Sequence, residues 1–181
     1  MFDLYLASPF FNDQQIALCK VIEGLCQDLG IKIFSPRLEG PSLKPGASQE
    51  DRQSVASVNA RGISQSEFVL AVLDYLLPIE QSLRLVRLAG GDDPLRINPV
   101  TGPLNLPDTG TVWEMGYANG LEKPVVGFKL DARGTLNVML CQHTQGVIVG
   151  PVQLREFLEK YKESDIYAAS QLLKPWQGSV R

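Results

Sequence analysis

Histidine is almost missing from this chain: His143 is the single one among 181 residues. That argues against a multi-histidine metal site and against a nucleophile activated by a histidine triad. Cysteine is also scarce. Cys19, Cys26 and Cys141 form neither a metal nor a redox spacing, and an odd count is awkward for a disulfide scaffold. Cys19 and Cys26 fall on one helix face, and the three read as reduced core thiols in a cytoplasmic protein. Neither charge sign is in real excess. The formal net charge of −3 gives no general attraction to a nucleic acid polymer or an anionic membrane. No apolar run approaches the length that spans a bilayer. The opening MFDLYLASPFF has no basic n-region and no long h-region, so it reads as a first strand rather than a signal peptide. No P-loop and no GxGxxG fingerprint follows that strand, which argues against a nucleoside-triphosphate or dinucleotide enzyme.

What is present is an ordinary globular composition, 44% hydrophobic and 20% charged, in a length that suits one domain spanning residues 1–181. Hydrophobic periodicity predicts strands over 2–7, 31–34, 67–73, 124–128 and 146–149. Helices are predicted over 13–29, 48–65, 111–121, 134–140 and 151–162. Asn12 or Asp13 is a suitable N-cap for the first helix, and Gly30 stops it. Pro36 ends the second strand, and 40–47 is a Pro/Gly/Ser loop. Residues 75–107 form a loop-rich insertion with room for a short helix, and loops of that length are often functional. The tail 163–181 carries Ile166, Tyr167, Leu172, Leu173 and Trp176, which suits packing on the domain or on a neighbour.

Strands alternating with helices predict an α/β fold: a flavodoxin- or Rossmann-like, open, mostly parallel five-stranded sheet with helices on both faces. In such sheets ligands bind outside the carboxyl ends of the strands. Ala7–Phe11, Asp74 onward and Gly127 onward are therefore the segments to watch.

The most informative stretch is Asp108–Ala118, DTGTVWEMGYA. It places two carboxylates, Asp108 and Glu114, six positions apart across a glycine-bearing turn at that same edge. One carboxylate can attack an anomeric carbon while the other moves the leaving group's proton. Bland readings stand beside this one. Glu114 reads equally as an exposed first-turn glutamate favoured by the helix dipole, and Asp108 as a turn or capping residue. Gly110 and Gly116 tilt the balance by allowing close approach of a ligand or backbone. Phe10 and Phe11 read as loop filler or as an aromatic wall for a flat heterocycle. Asn59 reads as solvated, Met139 as core and Asn137 as a cap.

Four stretches taken in order, YLASPFF, NARGISQSEFVLAVLD, DTGTVWEMGYANGLEKPV and LNVML, resemble the nucleoside 2-deoxyribosyltransferase family. The third is similar to its D-x-G-T-x-x-E-x-G-x-A signature. The resemblance implies a retaining exchange of 2-deoxyribose between nucleobases, with 2′-deoxynucleosides and free bases as small-molecule partners and no metal or organic cofactor. Glu114 matches the nucleophile, Asp108 the carboxylate that handles the base proton, and Tyr5 a tyrosine that orients the nucleophile. Asn59 matches a pocket Asp/Asn. Phe10, Phe11, Asp74 and Gly110 belong to the expected substrate-binding set. Asn137 and Met139 match residues that a neighbouring subunit supplies, so a homo-oligomer built from dimers with shared sites is implied. Two alternatives remain. Related 2′-deoxynucleoside 5′-monophosphate N-glycosidases transfer the sugar to water. They bear Ser and Arg in phosphate-gripping loops, where this chain has SPFF and Asn137. A non-catalytic nucleotide-binding module on the same fold is the other.

Overall fold

The computed structural model describes all residues except 42, 44, 45, 75–106, 131, 133, 134, 177, 178 and 181. The insertion expected over 75–107, its short helix, and Arg181 therefore lie outside the described residues, apart from Pro107.

Five strands form one sheet: β1 (Phe2–Ala7), β2 (Ile33–Phe34), β3 (Ser66–Val72), β4 (Val125–Lys129) and, after a short separate strand β5 (Thr135–Leu136), β6 (Val147–Val149). Their order is β2-β1-β3-β4-β6. Every pairing is parallel, with Leu4 opposite Phe68 and Leu70 opposite Val126 in the centre. The architecture is thus flavodoxin-like and all-parallel. A last strand, β7 (Ser179–Val180), pairs with β5 away from this sheet.

Side-chain alternation divides the core in two. Leu4, Leu6, Phe68, Leu70, Val126, Phe128 and Ile148 face one side, against α1 (Asp13–Asp28) and a C-terminal helix over Gly150–Glu163. Tyr5, Ala7, Val69, Ala71 and Val125 face the other, against a helix over Gln49–Ser64 and one over Thr109–Gly120. In chain order the helices are α1, α2 (Pro36–Glu39), α3 (Gln49–Ser64), α4 (Thr109–Gly120), α5 (Val138–Gln142), α6 (Gly150–Glu163) and α7 (Ile166–Ser170). A sheet covered on both faces explains the continuous apolar run in β3.

Local chemistry sets the helix ends. The Asn12 side chain accepts from the Gln14 and Gln15 amides at the start of α1. Past its end, Gly30 takes φ +66°, which a side chain would resist. Ser48 and Asp51 build a reciprocal capping box on α3. The sequence reading needs three corrections here. The second strand is shorter than expected, because the Ile31 amide is drawn back to the Cys26 carbonyl at 2.8 Å. Pro36 does more than end it, since it occupies the first turn of α2, where its missing N–H costs nothing. The helix expected over 134–140 is split: β5 comes first, and α5 starts only after Asn137, whose side chain accepts from the Met139 amide at 2.9 Å.

The tail does pack on the domain in part. Ile166 and Ala169 are buried, Leu173 packs against the α1–α6 core, and Trp176 packs against the other. Tyr167 and Leu172 remain exposed. Among the described residues, no helix is long and apolar enough to cross a membrane.

Candidate active site

Helix α4 turns Thr111, Glu114, Met115 and Ala118 inward, the three-and-four spacing of one helix face. Met115 and Ala118 join the core that contains Tyr5. Glu114 comes with that stripe and is brought beneath the carboxyl end of β1. It is 8% exposed, so the exposed first-turn reading does not describe it.

A buried carboxyl needs partners. The Tyr5 hydroxyl donates to Glu114 Oε1 at 2.5 Å, and Asn59 Nδ2 donates to the same oxygen at 3.4 Å. Glu114 Oε2 has no hydrogen-bond partner among the described residues. Burial pushes the Glu114 pKa up to about 7, opposed by the Tyr5 hydrogen bond and reinforced by the nearby Asp108 charge. Tyr5 in turn is held well above the usual phenol range, first by burial and then by the adjacent Glu114 carboxylate.

Asp108 caps α4. Its Oδ2 accepts from the Gly110 amide at 2.8 Å and the Thr111 amide at 3.1 Å. The capping reading is therefore correct as far as it goes. The same side chain also lines a cavity of about 530 Å³ together with Glu114. A Cβ at Gly110 would stand 2.7 Å from Asp108 Oδ2 and would push that side chain from its capping position. Gly116 is different. A Cβ on it would meet nothing within 4 Å, so no close approach among the described residues explains that glycine.

The cavity opens beyond the carboxyl ends of β1 and β2. Ser8, Phe10 and Phe11 line it from the first loop, Asn59 and Val55 from α3, and Pro36, Arg37, Gly40, Pro41 and Leu43 from the segment after β2. Phe10 and Phe11 stack on each other with ring centroids 5.6 Å apart. The volume is in the range of small-molecule sites.

Of the residues expected from sequence, the structure brings Tyr5, Glu114 and Asn59 into hydrogen-bonding contact, and gathers Asp108, Gly110, Phe10 and Phe11 around the cavity. Three it does not bring there. Asp74 is 1% exposed, forms an ion pair with Lys129 and accepts the Leu130 amide at 2.6 Å. It is not among the described lining residues of the cavity: β4 lies next to β3, so the Lys129 ammonium reaches the carboxylate directly. Asn137 and Met139 sit on the exposed surface of α5, away from this cavity within one chain.

Three polar cavity residues lay outside the expected site set. Thr111 is 1% exposed, and its hydroxyl has no hydrogen-bond partner among the described residues. It is the T of the D-x-G-T pattern, so its signal was there. Ser8 adjoins the first strand. Arg37 follows the second strand, whose carboxyl end is not among the segments after the first, third and fourth strands that the sequence singles out.

Comparison with known proteins completes the picture. Residues 4–78 match the family model described as nucleoside 2-deoxyribosyltransferase. A solved 2-deoxyribosyltransferase from the psychrotolerant bacterium Bacillus psychrosaccharolyticus superposes with a TM-score of 0.63 at 25% identity, covering 96% of this chain and 98% of that one. The chain is thus similar to the nucleoside 2-deoxyribosyltransferase family over residues 4–78 and to a solved 2-deoxyribosyltransferase over most of its length. Matches to a Leishmania mexicana 2-deoxyribosyltransferase (19% identity, TM-score 0.45, 74% of this chain and 67% of that chain) and to a conserved Enterococcus faecalis protein (18%, 0.49, 96% and 99%) are weaker. No curated protein sequence matches significantly. The family model covers the stretches bearing Tyr5, Phe10, Arg37 and Asn59. Glu114 and Asp108 fall beyond it.

Proposed function

We propose that this protein exchanges 2-deoxyribose between nucleobases through a covalent bond to Glu114. The observation that carries the reading is the Glu114 carboxyl, buried at the cavity with one oxygen held by Tyr5 and Asn59 and the other without a partner among the described residues. Oε2 attacks C1′ of a 2′-deoxynucleoside. The C1′–N bond breaks, its electron pair passes to the base nitrogen, and Asp108 delivers a proton to the departing base. A glycosyl ester on Glu114 remains. A nitrogen of the second base then attacks C1′, the ester C–O bond breaks, and the electron pair returns to Glu114. Asp108 recovers a proton from the incoming base. The transition states carry positive charge at the sugar carbon, which an adjacent carboxylate stabilises.

Charge favours a nucleoside over a nucleotide. Among the described lining residues the one cation is Arg37, and the Glu23 carboxylate already neutralises it. Glu114, ionised as the nucleophile, adds negative character, which repels a 5′-phosphate dianion. The unpartnered Thr111 hydroxyl and Asn59 Oδ1 suit hydrogen bonds to the uncharged substrate.

A second copy of the chain completes the site in this reading, through its Asn137 and Met139. Support comes from exposed apolar side chains on the two helices concerned, Val112 and Trp113 on α4 and Val138 and Met139 on α5. Sedimentation should then give a dimer or a multiple of it.

The deciding assay incubates 2′-deoxyinosine with adenine. Transfer yields 2′-deoxyadenosine and hypoxanthine, and a mass-trapped deoxyribosyl adduct on Glu114. Free deoxyribose with hypoxanthine and no new nucleoside would make the protein a hydrolase. Glu114→Ala should abolish exchange with the fold intact, whereas ligand binding without any wild-type turnover would leave a binding module.

A further inference from the structure

Arg37 is held from behind. Its Nε donates to Glu23 Oε1 at 3.2 Å and its Nη2 pairs with Glu23 Oε2. Glu23 is 9% exposed, and its Oε1 also accepts from the Ser35 hydroxyl at 2.7 Å. The guanidinium therefore has one of its two forks locked on a buried carboxylate. A guanidinium carries five N–H donors in a rigid plane. Two are used, and Nη1 has no partner among the described residues. The end-on fork, one N–H from each of Nη1 and Nη2, is the remaining pair of parallel donors, on a side chain that lines the cavity.

We propose that Arg37 is a specificity-determining residue that reads the edge of the nucleobase, favouring 6-oxopurines over 6-aminopurines; this rests on the transfer reading above. The sugar carbon must lie at Glu114. Pro36, Pro41 and Leu43 flank Arg37 with apolar surface, and the Phe10 ring faces the same cavity, a setting for a flat heterocycle. A 6-oxopurine presents two adjacent acceptors, O6 and N7, which match a guanidinium fork. Adenine presents N7 beside an amino donor, so one N–H of the fork would face another N–H. The back-side Glu23 makes the unit neutral overall, which suits an uncharged carbonyl better than a phosphate. It also removes the rotamer freedom that a lone arginine would lose on binding.

The test measures kcat/KM for two identity exchanges, labelled hypoxanthine into 2′-deoxyinosine and labelled adenine into 2′-deoxyadenosine. Wild type should favour hypoxanthine by about tenfold or more. Arg37→Lys keeps a cation against Glu23 but loses the second fork, and should bring the ratio near one by lowering the hypoxanthine value alone. A wild-type preference for adenine, or a variant in which both values fall together or the ratio stands, overturns the inference. If Arg37→Lys does not fold, the double variant Glu23→Gln/Arg37→Gln removes both charges and carries the same expectation. Absence of any wild-type exchange would defeat the transfer reading on its own. Calorimetric titration with hypoxanthine and adenine would then judge Arg37 separately: tighter hypoxanthine binding lost in Arg37→Lys supports it, and equal binding overturns it.

Discussion

Tyr5 and Glu114 are 109 positions apart in sequence and 2.5 Å apart in the fold, the phenol donating to the carboxyl. A buried carboxyl and a buried phenol each need a hydrogen-bond partner, and here each supplies the other's. Their contact is also where the core meets the cavity, because Tyr5 is fully buried and Glu114 lines the opening.

That bond opposes the effect of burial on Glu114, whose pKa stands at about 7. Tyr5→Phe removes a hydrogen bond to a charged group, worth about 1.5–3 kcal/mol, or roughly one to two pH units. The acidic limb of the kcat/KM profile should therefore move upward by about one unit or more. Initial rates of exchange between about pH 6 and pH 10 would reveal the shift. A limb that stays in place would separate Tyr5 from the ionisation that controls turnover.

The same raised value has a cost in stability. The folded protein binds the Glu114 proton more tightly than the unfolded chain, whose value is near 4.5. Its contribution is full below about pH 4.5 and is lost as pH rises through about 7. The loss is on the order of 3 kcal/mol at most. Glu114→Gln has no such titration. Urea unfolding at pH 5 and pH 8 should show wild type losing stability relative to the variant. A constant difference would contradict the raised value.

Gly62 is pressed against the ring of Phe34: a Cβ there would come within 2.6 Å of it. Phe34 stacks on Tyr5 with centroids 5.3 Å apart. Gly62→Ala should cost about 1–3 kcal/mol by overpacking and lower the exchange rate by displacing Tyr5. Gly24, inside α1, has open space at its Cβ. Gly24→Ala should instead gain roughly 0.5–1 kcal/mol with activity unchanged. Thermal unfolding and exchange assays on both variants check the opposite signs.

Asp74 and Lys129 form a buried ion pair at the carboxyl edge of β3 and β4. Lys129→Met strands a buried carboxylate and should cost about 3–5 kcal/mol. Asp74→Asn keeps an oxygen for the Leu130 amide, so the double variant should recover most of that loss. Denaturant titrations of the single and double variants measure the coupling.

Local rules explain what could be read without coordinates. Periodicity gives α1, α3, α6 and the central strands because each places one apolar face against a neighbour. Asn12 and Asp108 cap because a short polar side chain beside a helix start satisfies its free amides. The carboxylate spacing between Asp108 and Glu114 is likewise local, since a single turn and helix carry both.

Only tertiary packing decided the rest. The distinction between a buried and a solvated Glu114 depends on β1 lying under α4, which no local window contains. Asp74 meets Lys129 only because β4 lies beside β3. Arg37 gives no local sign of its partner, and only the packing of α1 places Glu23 behind it. In each case a charged group found its partner far along the chain. Sequence alone determined which side chains could do chemistry; the burial of each charge, and the group that offsets it, followed from how the sheet and helices assemble.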